Sequence, residues 1–267
     1  MSAPHAHEPK HPLTLLLEQT DAVEHDHFWF RGFRRFTDPL LDHAAAGRRD
    51  LTLLDCGCGT GLNMQRYQRY GTVYGFDITK LGLELAHQRK QQHVTRGSTT
   101  HIPFASGRFD ILTSFDVLVC LNDEQEAQAF GEFYRVLKPG GYVLINVAAL
   151  EILRGAHSAV AMEVRRYRRS MLRRGLERAG FRIERLTYTN ATLFPLMLGV
   201  RLVQRAAGLP SAEEAGNHLA IPAAPVNAAF SAALAVESQL LRFMNMPVGS
   251  SVLCLARKPL PAKSIPD

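Results

Sequence analysis

Glycines alternate with small residues directly after a short apolar run and an acid. Residues 51–54 are apolar or β-branched, Asp55 follows them, and Gly57, Gly59 and Gly61 stand at every second position. Glycine allows a sharp backbone turn and lets a ligand approach without a Cβ in the way. The dinucleotide fingerprint has its third glycine three residues after the second, and a carboxylate at Asp55 would repel a pyrophosphate. This spacing favours a nucleotide-like ligand with a cationic group, such as an ammonium or a sulfonium.

A second acid follows at the expected distance. Residues 73–77 are typical of a buried strand that ends in Asp77, sixteen residues after Gly61. A carboxylate at this point can accept two hydrogen bonds from ribose hydroxyls. Thr79 is then placed to cap the next helix.

Further elements are predicted downstream. Residues 109–114 form the fourth strand, residues 135–141 form a Lys-Pro-Gly-Gly turn, and residues 142–147 form the fifth strand. Together with residues 55–61, they resemble the motifs of class I methyltransferases that use S-adenosylmethionine. The resemblance covers about residues 24–258. Within the class, the chain is similar to the bacterial small-molecule group that includes quinone-biosynthesis and secondary-metabolite enzymes. It implies an α/β, Rossmann-like sheet of seven mostly parallel strands with helices on both faces.

The same resemblance implies a cofactor site that holds S-adenosylmethionine, releases S-adenosylhomocysteine and needs no metal. Ser98 stands where many relatives carry an Asp against the adenine, and a hydroxyl accepts a hydrogen bond more weakly than a carboxylate. Cys120 stands where relatives often carry His, so a role of that His does not transfer. The expected cofactor residues are Asp55, Gly57, Cys58, Gly59, Gly61, Asp77, Ile78, Ser98, Thr99, Ser114 and Phe115.

Composition bounds the class of protein. The 267 residues are 46% hydrophobic and 21% charged, which is ordinary for a globular chain with a sizeable core. The four cysteines show no metal-ligand pairing, so we expect a reducing, cytoplasmic location. Residues 1–12 are polar, with no apolar signal core, and are expected to be a flexible tail.

The chain divides into further parts after this tail. Residues 13–49 are expected to form an N-terminal helical lid, and residues 50–150 the cofactor-binding core. Residues 151–267 complete the sheet and contain a helical insertion, about 190–249, before the last strand. Two uncharged stretches in this insertion favour an apolar cap over a lipophilic acceptor or a peripheral membrane contact. Equally, these helices could complete the core or a homo-oligomer interface.

Candidate substrate residues lie outside the core motifs. Trp29 and Arg34 are candidates for the lid, although an amphipathic helix facing the core is the default interpretation. Residues 165–174 contain six arginines and could bind RNA, anionic lipid or a phosphorylated substrate, or form a solvated loop and helix start capped by Ser170. Arg166 and Tyr167 match a recurrent Arg-Tyr motif of related small-molecule methyltransferases.

The mechanism implied is attack by a nucleophile on a sulfonium methyl group, in which the protein mainly supplies alignment. A base is needed only where the acceptor must lose a proton, and His157, Tyr167 and Asp116 are candidates. The predicted function is methyl transfer to a small, lipophilic acceptor. Alternatives are an RNA methyltransferase that uses the basic run and a non-catalytic, cofactor-binding regulatory protein. Residues 114–117 lack an Asn-Pro-Pro-Tyr-type motif, which makes nucleic acid the less favoured partner.

Overall fold

The computed structural model describes residues 11–155, 158, 160–208 and 219–261. This part of the chain forms a sheet of seven strands in the order β3-β2-β1-β4-β5-β7-β6. β7 is antiparallel to both of its neighbours, and the other pairs are parallel. The strands are β1 (Leu51–Cys56), β2 (Gly71–Asp77), β3 (Val94–Arg96), β4 (Phe109–Phe115), β5 (Leu137–Ala148), β6 (Arg182–Thr189) and β7 (Ser251–Arg257). The predicted fold class is confirmed.

Helices pack on both faces of this sheet. In the described ranges they are α1 (Pro12–Val23), α2 (Phe28–Ala45), α3 (Leu62–Tyr67), α4 (Lys80–Gln88), α5 (Asp123–Val136), α6 (Arg169–Arg178), α7 (Phe194–Ala206) and α8 (Ala224–Leu240). One core cluster joins the sheet to α5 and α6, and a second joins it to α2, α3 and α8. Strand order reverses between β1 and β4, and open α/β sheets bind ligands at the carboxyl ends of strands beside such a switch point.

Local sequence accounts for several helix boundaries. The Thr79 hydroxyl accepts a hydrogen bond from the amide of Gly82 over 3.1 Å, so the predicted cap of α4 is confirmed. The predicted cap at Ser170 is wrong, because α6 begins at Arg169 and its N-cap residue, Arg168, makes no side-chain cap. Ser170 therefore lies inside the first turn.

The two helices of the insertion, α7 and α8, differ in how they are held. In α8, Asn227 accepts from the amide of Phe28 over 2.8 Å and donates to the carbonyl of Asp26 over 3.0 Å. The fully buried carboxylate of Glu237 accepts from the amides of Ala191 and Thr192. By contrast, α7 contains no buried residue. Within the described ranges, we find no helix that is both long and apolar enough to cross a membrane.

Candidate active site

The glycine turn, residues 57–61, connects β1 to α3 at the carboxyl edge of the sheet. Gly57, Gly59 and Gly61 all have positive φ angles, 74°, 48° and 78°. L-residues with a Cβ seldom adopt this conformation. A Cβ on Gly57 would also lie only 2.4 Å from Cγ2 of Val117. The turn therefore needs glycine for its backbone angles and for its close approach to the segment that follows β4.

Asp77, at the end of β2, is bonded directly to the glycine turn. Its Oδ2 accepts from the amide of Gly59 over 2.9 Å, and its Oδ1 accepts from the amide and hydroxyl of Thr79 over 2.8 and 2.7 Å. A carboxylate offers about four acceptor positions, so three are already occupied. The expected pair of ribose hydrogen bonds would need the Gly59 contact to lengthen or be shared. The next residue, Ile78, is 58% exposed and available to a planar ligand.

Asp55 lies underneath the turn. It is 2% exposed, and it accepts a 2.6 Å hydrogen bond from the hydroxyl of Thr113 in β4. Burial, together with the nearby charge of Asp77, raises the pKa of Asp55 to about 7. A cationic ligand above the turn would favour the ionised form of this carboxyl group.

The segment after β3 closes another side of the site. The amide of Gly97 donates to the carbonyl of Asp77 over 3.1 Å, which places this segment beside the end of β2. The hydroxyls of Ser98 and Thr100 are 2.9 Å apart, and Thr99 is buried. Ser98 can still bind an adenine amino group because a hydroxyl has two acceptor lone pairs.

The end of β4 faces the glycine turn. Ser114 is fully buried, and among the described residues its hydroxyl has no hydrogen-bond partner. The ring of Phe115 packs edge-on against Phe33 of α2, with 4.8 Å between the ring centroids. An aromatic wall from α2 therefore reaches the edge of the sheet where a ligand would lie.

Asp116 follows β4 in a conformation uncommon for a non-glycine residue, with a φ angle of 56°. Its two carboxyl oxygens accept from Nδ2 of Asn146 in β5 over 3.1 and 3.2 Å. Surrounding protein atoms and the charge of Glu163 raise the pKa of Asp116 to about 7. The residue is also exposed to solvent, as a base that must meet an acceptor has to be.

Arg166, a candidate substrate residue, is held by protein groups. Its guanidinium donates to both oxygens of Glu163 over 2.8 and 3.1 Å and to the carbonyl of Ala149 over 3.3 Å. Both side chains of this ion pair are less than a tenth exposed. Arg166 therefore fixes Glu163 near Asp116, and a direct contact with substrate stays a prediction.

The structure places Tyr167 in the core. The residue is completely buried, and its hydroxyl donates to Oε1 of Glu126 over 2.5 Å. Burial and the charge of Glu126 raise the pKa of this phenol well above its usual range. A buried phenol bonded to a carboxylate cannot reach an acceptor without rearrangement, which argues against Tyr167 as the base.

The remaining candidate residues from the sequence are Arg34, Trp29 and His157. Arg34 donates to the carbonyls of Glu24 and His25 over 2.8 and 3.1 Å, so it holds the junction of α1 and α2. Trp29 is half-buried in the first turn of α2. A substrate role for either stays a prediction, and His157 lies outside the described residues.

Helix α1 lies directly on the glycine turn. Cδ2 of Leu17 is 3.2 Å from the position that a Cβ on Gly59 would occupy. The buried carboxylate of Glu24, just beyond α1, accepts from the hydroxyl of Thr60 over 2.7 Å and pairs with Arg89 over 2.5 Å. Sequence reasoning missed this network, which joins residues 36 and 65 positions apart.

Cysteines and acids do not gather into a metal centre in the part of the chain that is described. Cys56, Cys58 and Cys254 are buried, and burial raises the pKa of each thiol. These thiols are therefore protonated core residues. The sulfhydryl of Cys120 donates to the carbonyl of Ala161 over 3.3 Å.

Comparison with a family model decides the class of this site. Residues 54–145, from within β1 to within β5, match the model described as a methyltransferase domain. This chain contains a class I S-adenosylmethionine-dependent methyltransferase domain. The resemblance drawn from the sequence is confirmed, since the matched range contains the strands and turns that carried it.

Curated relatives share this methyltransferase domain but extend beyond it. Malonyl-[acyl-carrier protein] O-methyltransferase of Enterobacter lignolyticus (strain SCF1) is 35% identical over 126 residues, which is 45% of this chain and 47% of the relative. Demethylmenaquinone methyltransferase of Lactiplantibacillus plantarum is 40% identical over 99 residues, 33% of this chain and 41% of the relative. The chain thus spans about half the length of the curated relatives it matches.

Solved structures share the fold over a longer range. The [4+2]-cyclase SpnF superposes with a TM-score of 0.59 at 21% identity and covers 94% of both chains. Geranyl diphosphate C-methyltransferase from Streptomyces coelicolor A3(2) superposes with a TM-score of 0.54 at 18% identity, over 83% of this chain and 74% of the other. At this level of identity, these likenesses show the fold alone.

Proposed function

We propose that this protein transfers a methyl group from S-adenosylmethionine to a small, lipophilic acceptor. The observation that carries the proposal is the hydrogen bond from Gly59 to Asp77, because it unites the glycine turn with the acid at the end of β2. Glycine-rich turns at a switch point bind nucleotide-like ligands, and an acid after the second strand suits a ribose.

The residues around this contact fit the cofactor. The turn, residues 57–61, needs glycine because a Cβ there would clash with neighbouring side chains or strain the backbone. Asp77 and the exposed Ile78 would hold the nucleoside, with Ser98 and Thr99 beside its base. Asp55, underneath, would stabilise positive charge, while Ser114 and Phe115 would line the methyl-donor end.

Asp116 is our candidate for the general base. When bound, S-adenosylmethionine supplies an electrophilic methyl group. Asp116 would accept the proton of an acceptor O–H or N–H as the new bond to carbon forms, and would then release that proton to water. A base with a pKa near the working pH is efficient, and the pKa of about 7 at Asp116 meets this condition. Asn146 would orient the carboxylate through its two hydrogen bonds.

Aromatic packing near the site supports a lipophilic acceptor. Phe33 and Phe115 meet edge-on at the end of β4, and Phe28 of α2 meets Phe230 of α8 with 5.0 Å between centroids. Apolar pockets with a few polar groups are typical of small-molecule sites. The name of one curated relative refers to a lipophilic acceptor, demethylmenaquinone, whereas that of another refers to a malonyl group on acyl carrier protein.

A second candidate, an RNA methyltransferase, depends on the basic run, residues 165–174. Three of its arginines are paired with protein carboxylates: Arg165 with Asp123, Arg166 with Glu163 and Arg173 with Glu177. Pairing reduces the charge that phosphates could use. RNA binding through phosphate contacts would weaken steeply as the salt concentration rises, and we expect no such dependence.

A non-catalytic role is a further candidate, since fold does not establish activity. The cyclase SpnF shares this fold, so methyl transfer has to be measured directly. Cofactor binding without turnover on any acceptor would favour a regulatory function.

We place the protein in the cytoplasm, with peripheral membrane contact through α7. Leu196, Val200 and Val203 recur at helical spacing on α7 and are 53%, 46% and 68% exposed. Liposome flotation of wild type and of a Val200→Asp, Val203→Asp variant tests the contact. If flotation is absent in wild type and light scattering gives a dimer, the same face instead serves a homo-oligomer.

The test of the proposed function uses methyl-tritiated S-adenosylmethionine, the purified protein and extract from its source. Label in the organic phase supports the proposal and directs mass spectrometry to the product. Label in RNA overturns the acceptor class. Absence of label in every fraction, despite measurable cofactor binding, favours the regulatory alternative.

A further inference from the structure

A cleft of about 470 Å³ lies between α2, α8 and the sheet, away from the glycine turn. Its apolar lining comes from Phe36, Leu40, Leu241, Leu253 and Leu255. Cavities of about 300–1,000 Å³ are typical of small-molecule sites. We call this feature the wedge cleft.

The packing of α2 against α8 explains why the wedge cleft exists. Near their first turns, the helices are joined by Asn227 and Phe28. One turn further along α2 the helices are in close contact, since a Cβ on Gly32 would lie 2.3 Å from Cδ1 of Leu234. Beyond this crossing, Leu40 and Leu241 line the cleft between the two helices, with strands β6 and β7 as its floor.

Strand register separates the wedge cleft from the candidate active site. Thr187, the floor residue nearest the site, pairs with Leu253, which in turn pairs with Asn146 of β5. The glycine turn follows β1, and strands β4 and β5 lie between β1 and β7 in the sheet. A ligand in the cleft would therefore leave the cofactor turn free.

Charge at the mouth of the wedge cleft is positive and unpaired. Arg35 and Arg242 both line it and are exposed, and no other residue in the described ranges holds either guanidinium by a hydrogen bond or ion pair. The guanidinium of Arg185 is bound within the protein, because it donates to the carbonyls of Leu241 and Met244 at the end of α8. This contact also offsets the partial negative charge of the helix terminus.

The acidic group at the wedge cleft, Glu184, has a hydrogen-bond partner of its own. Oε2 of Glu184 lies 3.3 Å from Nε2 of His43. Arg35 lies eight residues before His43 along α2, so this cation and the acid belong to different parts of the cleft. An anionic head group would consequently be drawn toward Arg35 and Arg242, and an aliphatic chain toward the leucines.

We infer that the wedge cleft is a second ligand site, which binds a free, single-chain amphipathic anion such as a fatty carboxylate. Burial of methylene groups favours binding of the chain, and the two arginines supply charge complementarity at the head group. This site is independent of the proposed methyl acceptor and leaves that proposal unchanged.

Calorimetry with monomeric ligands tests the chemistry. We expect dodecanoate to bind, hexanoate to bind at least about tenfold more weakly because it buries fewer methylenes, and dodecyltrimethylammonium to bind weakest. Equal binding of the cation and the anion would overturn the inference. So would binding restricted to vesicles of anionic lipid, since that result would indicate a membrane surface instead.

A pair of variants tests the location. Arg35→Ala with Arg242→Ala should weaken dodecanoate binding about five- to tenfold, as expected for two exposed charge contacts. Arg174→Ala with Arg178→Ala, on exposed positions of α6, is the matched control and should not change it. S-adenosylhomocysteine affinity, measured on the same samples, verifies that each variant is folded. Unchanged dodecanoate binding in the first pair would place the site elsewhere.

Discussion

The backbone amide of Gly59 donates a 2.9 Å hydrogen bond to Oδ2 of Asp77. This bond connects the turn after β1 to the end of β2, and both groups belong to the proposed cofactor site. Any change at Asp77 thus alters the shape of the glycine turn as well as the hydrogen bonds offered to a ribose.

Substitution of Asp77 should weaken the cofactor complex. We expect Asp77→Ala to cost about 1–3 kcal/mol of binding free energy, because hydrogen bonds to a charged acceptor are lost. Isothermal titration with S-adenosylhomocysteine measures the effect, and Asp26→Ala, at an exposed position, is the control. Unchanged affinity in Asp77→Ala would contradict the ribose assignment.

Asp116 should control the rate of methyl transfer and its pH dependence. With a pKa of about 7, the carboxylate is the active form, so kcat should rise through neutral pH and reach a plateau above it. Asp116→Asn should lower kcat about 100-fold or more and remove this dependence. Cofactor affinity should stay constant, and a normal pH profile in the variant would exclude Asp116 as the base.

Asp55 should make the free protein less stable as pH rises. Its folded pKa of about 7 lies above the ordinary 3.8, so the folded state holds a proton that the unfolded state releases. The stability that this proton contributes is complete below about pH 4 and is lost as pH rises to 7, on the order of 4 kcal/mol in all. Thermal unfolding between pH 4 and 8 measures this slope. Asp55→Asn should flatten it, whereas Asp26→Asn should not.

The contact of Glu24 with Thr60 and Arg89 should keep α1 on the glycine turn. Glu24→Ala leaves Arg89 without one of its carboxylates in a largely buried position, and losing a buried partner costs about 3–5 kcal/mol. We expect faster amide hydrogen exchange in α1 and faster release of S-adenosylhomocysteine. Glu177→Ala, which breaks an exposed pair with Arg173, should leave both rates unchanged. Equal exchange in the two variants would show that this network does not hold α1.

Two glycine-to-alanine changes should have opposite signs. Gly32→Ala introduces a Cβ that would lie 2.3 Å from Leu234, and such overpacking typically costs about 1–3 kcal/mol. Gly131→Ala, inside α5 with open space around it, should stabilise the fold by about 0.5–1 kcal/mol through helix propensity. Urea unfolding compares them, and equal stabilities would refute the close crossing of α2 and α8.

Local chemistry made part of this site predictable. Gly57, Gly59 and Gly61 need no knowledge of distant residues, because positive φ angles are a property of the turn itself. The cap at Thr79 is equally local, since donor and acceptor are three residues apart. Ser170 shows the limit of this reasoning, because the start of α6 is one residue before the expected cap.

Long-range contacts made the rest unpredictable. Arg166 and Tyr167 matched a motif, yet the structure uses Arg166 to hold Glu163 and buries Tyr167 against Glu126. Arg34 is a candidate lid residue from its sequence position, and in the structure it donates to two carbonyls at the junction of α1 and α2. A sequence pattern cannot tell a free polar group from one that another element will satisfy.

The sequence alone determined the sheet and its glycine turn, because strand periodicity and turn angles are set by neighbouring residues, and its resemblance to class I methyltransferases indicated the class of cofactor. Only the tertiary structure decided which charges are available. Arg166 is paired and buried, whereas Arg35 lines the wedge cleft without a partner among the described residues. The physical reason is that ion pairing and burial depend on the packing of elements far apart in the chain, which no local pattern encodes.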